Sequence, residues 1–332
     1  MQVFKPFYYD TFRCLAGECP DSCCKEWEVE VDDRAAAYYR SLTGPLGDRL
    51  RAVLKDDPQW GTVMTIENGR CPMWRDDGLC RIHAELGHEA LCKTCRDFPR
   101  LTHNYGTFCE VGLELSCPEA ARLILTAPNV PEWMEEIPGG EDPQYDVDAM
   151  ETLLQTRAFA LELIHDPQYS ITEMLILLLY YGYHAQGLLD GDDDTDFHPI
   201  PLLNEAKYMG IPDGEEALVD FFKTLEILTP EWQDRLNAPL PIVPWAAELR
   251  NLAGYFVNRY WLQAVSDYDL VSRVKLAVVS CILVHLLGGD VIQTAQTYSK
   301  EIENSDTNVD SILNATYSHS ALTDQRLLGM LI

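Results

Sequence analysis

The chain has 332 residues, 47% of them hydrophobic and 23% charged, with a formal net charge of −28. This is a globular composition, with too much apolar surface for intrinsic disorder. The acidity is uneven: residues 1–127 carry 15 Lys/Arg against 20 Asp/Glu, and residues 128–332 carry 10 against 33. So negative a surface repels phosphate backbones and anionic lipid, which argues against nucleic-acid and membrane partners. It serves solubility, or it attracts a cationic group such as a lysine side chain; charge alone leaves both open.

In chain order, the opening Met1-Gln2-Val3-Phe4-Lys5-Pro6 carries no apolar signal region. Acidic caps followed by good helix formers predict a helix over 32–43, and a second is expected over 46–55. Alternating β-branched residues predict a short strand over 60–66. Gly69-Arg70-Cys71-Pro72 and Asp76-Asp77-Gly78 are turn signals, and Pro118 stands early in a helix expected to reach residue 127. Pro128, Pro131, Pro138-Gly139-Gly140 and Pro143 mark 128–145 as a linker. Beyond it, helix-period apolar stripes predict helices over 146–165, 170–187, 214–228, 243–265, 267–287 and 291–303, with an exposed acidic loop over 190–196.

The longest apolar runs, 174–181 and 276–287, fall short of the ~20 residues that cross a bilayer, so a cytoplasmic protein is expected. The expected fold is mainly α: a cysteine-rich metal-binding domain of short helices and loops over 1–127, the linker, and an acidic helical bundle over 146–332. Neither a β-α-β alternation nor a regular repeat is present.

Ten of the eleven cysteines lie between Cys14 and Cys117. A reducing compartment disfavours disulfides, and the adjacent Cys23-Cys24 pair would bridge only with strain, its Cα atoms lying about 3.8 Å apart. Thiophilic metal is the remaining account. The candidate ligands are Cys14, Cys19, Cys23, Cys24, Cys71, Cys80, Cys92, Cys95 and Cys117, with Cys92-Lys93-Thr94-Cys95 a CxxC knuckle. These nine exceed the four of one tetrahedral zinc or one cluster, so a second metal or spare thiols must be allowed. Cys281, within an apolar run, and Cys109, outside the grouped spacing, are read as core residues; His83 and His88 are read as non-ligands. Asn251, Tyr255 and Arg259 share one helical face, and a buried Arg259 would demand an acidic or ligand partner. The favoured reading of that face is a polar network joining its helix to the bundle. Tyr180, Tyr181, Tyr183, Tyr255 and Trp261 are read as core in preference to an aromatic cage for an alkylammonium.

Four segments carry a resemblance: Cys14-x4-Cys19-x3-Cys23-Cys24-x2-Trp27; Cys71-Pro72-x5-Asp77-Gly78-x-Cys80-x-Ile82; Leu86-Gly87-x3-Leu91-Cys92-x2-Cys95-x2-Phe98-Pro99-Arg100; and Glu114-x2-Cys117-Pro118-Glu119-x-Ala121-Arg122. Together they resemble the bacterial flagellin lysine N-methylase family, which overlaps with zinc- or iron-chelating cysteine-rich proteins. The resemblance implies S-adenosylmethionine-dependent methylation of lysine ε-amines on flagellin or a similar protein. It also implies an iron–sulfur cluster, 4Fe-4S in type, with zinc as the alternative. Without a CxxxCxxC run or a glycine-rich loop after a predicted strand, neither a radical site nor an ordinary Rossmann methyltransferase is expected. No catalytic or donor-binding residue is assigned by the sequence. The alternative function is a non-catalytic, cytoplasmic metal-binding or redox-sensing module.

Overall fold

A computed structural model describes residues 1–24, 29–58, 61–128, 132–193 and 196–332. Trp27 of the first cysteine motif, Trp60 of the expected strand, Pro131 of the expected linker, and residues 194–195 of the acidic loop lie outside the described residues.

The chain is mainly helical, and its first part carries more strand than the sequence suggested. After β1 (Gln2–Lys5) come β2 (Val29–Glu30), α1 (Asp33–Ser41), α2 (Gly44–Val53), β3 (Leu54–Asp57) and β4 (Gly61–Met64). The last three strands form an antiparallel sheet in the order β2-β4-β3. Asp32 caps α1 by accepting from the Ala35 amide at 3.1 Å, as acidic caps do. The helix expected over 46–55 ends at Val53, where the chain turns extended into β3.

Two short helices, α3 (Arg81–Leu86) and α4 (Lys93–Asp97), lead to β5 (Arg100–Asn104), β6 (Phe108–Leu113), α5 (Pro118–Leu125) and β7 (Trp133–Glu136). A second sheet runs β5-β6-β1-β7, with β1 parallel to β6 and antiparallel to β7. β7 lies inside the stretch 128–145. The sequence prepared nothing of this sheet, because β1 joins it through partners a hundred residues away.

The remainder is helical: α6 (Val147–His165), α7 (Ile171–Leu189), α8 (Pro199–Met209), α9 (Glu215–Phe222), α10 (Pro230–Asn237), α11 (Glu248–Tyr260), α12 (Val271–Leu287), α13 (Val291–Ile302), α14 (Asp306–Ser318) and α15 (Asp324–Leu331). Caps set the starts that the sequence located well. Asp146 accepts from Ala149, Asp290 accepts from Gln293, and Ser170 with Glu173 closes a reciprocal capping box. The helix expected over 214–228 stops at Phe222, and Thr229 caps the next one through the Trp232 amide. The one expected over 243–265 starts only at Glu248, beyond Pro244, and gives way after Tyr260 to a 3-10 turn over Trp261–Ser266. The one expected over 267–287 starts at Val271, since Asp269 binds the Ser272 amide. Helices α8, α10, α14 and α15 were not expected; α8 and α10 carry Pro199 and Pro230 at their first turns, where proline reads as a breaker.

α12 is the axis of the bundle, buried at every residue from Val271 to Val284. Its buried charges are partnered, as burial requires. Arg273 meets Asp267 at 2.9 Å and Lys275 meets Asp324 at 2.8 Å. Two apolar cores result. The small one is drawn from Val29 to Cys92, with Tyr39, Leu50 and Met73 fully covered. The large one joins Phe12, Phe108 and α5 to the helices beyond residue 146. No described helix is long and apolar enough to cross a membrane.

Candidate metal centre and adjoining cleft

The cysteines sit in loops that neighbouring polar groups hold down. Asp32, while capping α1, also accepts from the Lys93 amide at 2.7 Å, Thr94 donates to the Glu30 carbonyl at 3.1 Å, and the Tyr39 hydroxyl donates to the Ala90 carbonyl at 2.6 Å. These bonds seat the Cys92–Cys95 knuckle on the small core, with Cys92 at the start of α4. Cys71 donates its amide to the Cys24 carbonyl at 2.7 Å, and Arg49 holds the Pro72 carbonyl at 2.9 Å. Cys80 stands at the start of α3, joined to Trp74 by a β-bridge. The first cysteine loop is tied to the bundle instead: Asp21 accepts from Gln296 at 3.0 Å and from Lys300 at 3.2 Å, and Gln296 also donates to the Ser116 carbonyl beside Cys117. The two loops touch where Gly17 meets Gly78 (φ +78°). A Cβ on Gly78 would stand 3.1 Å from the Gly17 Cα, and one on Gly17 would stand 2.9 Å from the Asp77 carbonyl oxygen. Glycine is needed on both sides of that approach.

The thiols sort into two groups by their mutual electrostatics. Burial pushes Cys71 up to about 12, and the nearby Cys24, Cys80 and Cys92 add to the rise. Cys80 is raised by burial and then by Cys24 and Cys92, against the pull of the His83 amide. Cys95 is raised by Cys92, by burial, and by Cys24 and Cys71. One group is therefore Cys24, Cys71, Cys80, Cys92 and Cys95. The other is Cys14, Cys19, Cys23 and Cys117: burial pushes Cys117 up to about 11, opposed by the Ala120 and Glu119 amides and assisted by Cys19 and Cys14. Cys23 is raised by its bond with Cys24, by burial, and further by Cys14 and Cys117. Its partner Cys24 is held down at about 7, first by Cys23 and then by the Ser22 hydroxyl, against burial. Cys92 is lowered in the same way by Cys95. A metal binds thiolates, so its arrival would draw the proton from both members of such a pair.

All eleven cysteines are free of disulfides. Among the described residues, no three His, Cys, Asp or Glu side chains stand close enough together to enclose an ion. Cys109 lies on β6, 5% exposed, and Cys281 lies fully buried in α12. Burial is the leading cause raising both, and no other thiol bears on either. His83 and His88 pack edge to face against each other.

The polar face of α11 forms the network expected of it. Asn251 donates to the carbonyls of Leu125 and Ala127, both at 2.9 Å, and so caps the end of α5. The Tyr255 hydroxyl accepts from the Leu115 amide at 3.3 Å and donates to Glu303 at 3.2 Å. Arg259 meets Glu303 at 2.8 Å, and Tyr260 donates to the same carboxylate at 2.9 Å. The acidic partner demanded of Arg259 is Glu303. Tyr181 and Trp261 stack in the large core with Tyr255 and the partly buried Tyr180, whereas Tyr183 is exposed and donates to Asp324 at 2.7 Å.

Beside this network lies an open cleft of about 150 Å³ between the second sheet and α11. His103 and Glu110 stand directly opposite each other in the β5–β6 register, so they share one sheet face. Arg157 of α6 grips Glu110 through both carboxylate oxygens. The sequence carried no signal for His103, Glu110 or Arg157 as a set, since each comes from a separate element.

No protein-family model matches the chain, and no solved structure matches it. Three relatives do. The lysine-N-methylases of Salmonella typhimurium (strain LT2) and Salmonella choleraesuis are each 29% identical over 199 residues, which is 58% of this chain and 49% of each relative. The chain thus spans about half the length of these two relatives. The flagellar biosynthetic protein FliU of Salmonella muenchen is 32% identical over 133 residues, 38% of this chain and 79% of that protein.

Proposed function

We propose that the chain, which belongs to the family of the flagellar protein FliU and is similar to the Salmonella lysine-N-methylases, methylates lysine ε-amines of flagellin or a similar protein, with S-adenosylmethionine as methyl donor and metal held by its cysteines. The observation that carries this reading is the 199-residue match to proteins named for that reaction. The flagellar name of the third relative supports a flagellar substrate. The acidic excess of residues 128–332 suits a cationic substrate side chain.

The metal is an iron–sulfur cluster, 4Fe-4S in type, or zinc. The support is the chemistry of the donor set: nine thiols, of which Cys71 and Cys92 are buried and Cys14, Cys23 and Cys95 exposed, would repel one another when ionised, and a bound cation would offset that repulsion. Cys24, Cys71, Cys80, Cys92 and Cys95 would hold one centre, and Cys14, Cys19, Cys23 and Cys117 a second. When bound, the metal supplies cross-links between chain segments that otherwise share little core. The transfer itself needs no redox step. A neutral lysine amine attacks the methyl carbon as the carbon–sulfur bond breaks, S-adenosylhomocysteine leaves, and the methylated ammonium gives its proton to water or a nearby carboxylate.

Incubating anaerobically prepared protein with methyl-labelled S-adenosylmethionine and purified flagellin should place label on flagellin lysines. An intact protein that transfers no label to flagellin would defeat the flagellin methylase reading and leave a metal-binding module.

A further inference from the structure

The cleft between the sheet and α11 contains two buried polar atoms that the protein does not satisfy. Arg259 spends its Nε on Glu303 and Tyr260, but its Nη1 has no partner among the described residues. His103 Nε2 has none either. Both residues line the cleft, and the Arg259 side chain is 15% exposed. A buried donor left unmade costs about 1–3 kcal/mol, more when charged, so two in one cavity need a reason. Other buried polar atoms without a partner, Trp74 Nε1, Trp232 Nε1, Arg273 Nε and Asp324 Oδ1, do not line this cleft; here two such atoms line one open cavity.

The surroundings narrow what could satisfy them. Guanidinium presents donors only, in a planar fork that matches a carboxylate. Burial is the first cause lowering the His103 pKa and Arg259 the second, which favours neutral imidazole, and its Nε2–H tautomer donates to an anionic oxygen. The Leu101, Leu113 and Ile124 side chains give the cleft an apolar wall. Two carboxylates, Glu110 and Glu132, line it as well, and desolvation followed by the charge of Glu110 raises the Glu132 pKa. Gly254, on the α11 face of the cleft, leaves room: a Cβ there would meet the His165 ring at 3.5 Å and nothing closer.

We propose that this cleft binds the amino-acid end of the methyl donor, its carboxylate on Arg259 Nη1 and His103 Nε2 and its cationic groups towards Glu110 and Glu132. The identity of the ligand rests on the methylase reading; the demand for a carboxylate rests on the two unsatisfied donors.

The test is equilibrium binding to the full chain of two probes: S-adenosylhomocysteine, which carries the amino-acid end, and methylthioadenosine, which lacks it. His103→Leu should weaken S-adenosylhomocysteine roughly tenfold, the scale of one hydrogen bond to a charged group, and leave methylthioadenosine unchanged. Gly254→Leu, which extends a side chain from the α11 lining of the cleft, should weaken S-adenosylhomocysteine at least as much. Circular dichroism of both variants checks that they fold. Unaltered S-adenosylhomocysteine binding in both folded variants would overturn the cleft assignment while leaving the methylase reading intact. Equal weakening of both probes by His103→Leu would overturn the carboxylate contact. A wild-type protein that binds no S-adenosylhomocysteine would overturn the donor reading and this site together.

Discussion

Glu303→Ala is expected to cost roughly 3–5 kcal/mol of stability, the range for breaking a buried ion pair from one side. The Glu303 side chain is 2% exposed and sits at the end of α13. It receives Arg259 at 2.8 Å, the hydroxyls of Tyr255 and Tyr260, and Ser299 at 2.5 Å. Alanine strands a guanidinium that cannot lose its proton, in a place that water reaches poorly. Two tyrosine hydroxyls lose their acceptor as well, and Tyr255 is also the acceptor for the Leu115 amide that leads towards Cys117. The damage should therefore spread from the bundle to the second cysteine group. Glu303→Gln keeps an acceptor without the charge and should fall between wild type and alanine. Urea unfolding followed by circular dichroism measures both. An alanine variant within about 0.5 kcal/mol of wild type would show that the pair is dispensable, as exposed pairs are.

Cys92→Ser is expected to abolish metal at one centre and loosen the small core, without touching the bundle. Cys92 is 2% exposed, and its neighbours Leu91, Ile82 and Tyr39 belong to the same core. That core is small, so cross-linking by metal contributes a large share of its stability. Cys71→Ser should behave alike, because its thiol is buried against Met64 at 3.7 Å and neighbours Cys24, Cys80 and Cys92. Cys281→Ser and Cys109→Ser should leave metal content unchanged: Cys281 lies in the large apolar core, Cys109 is covered on β6, and no other thiol bears on either. Metal analysis together with amide exchange over residues 29–92 reads both effects. Equal metal content in Cys92→Ser, Cys71→Ser and wild type would contradict the ligand grouping.

What the sequence revealed follows from how local each feature is. Helices announced by a cap and a long apolar stripe, such as those starting after Asp146, Ser170 and Asp290, were placed within a residue or two at their starts. Those opening on proline or cut by a local cap were missed or overrun, because one residue type serves both as helix start and as breaker. The second sheet was invisible: Gln2 to Phe4 pair with Phe108 to Glu110 in parallel, and no short-range pattern encodes that partnership. The cysteine spacing pointed to metal chemistry because thiols at such intervals have few other uses. The proposed division is not written in the spacing, since Cys23 and Cys24 are adjacent and Cys117 arrives from beyond the hairpin of β5 and β6. Arg259 was seen to need an acid, yet Glu303, 44 positions along, carried no mark of being it. The cleft draws on β5, β6 and α11, and only folding brings them together.

The most direct test of the account is elemental. Protein purified without oxygen should be analysed for iron, acid-labile sulfide and zinc per chain, then repeated on Cys92→Ser and on Cys117→Ser. The account predicts metal in the wild type, with each variant losing one centre and keeping the other. A wild-type chain that folds with neither iron nor zinc would contradict it.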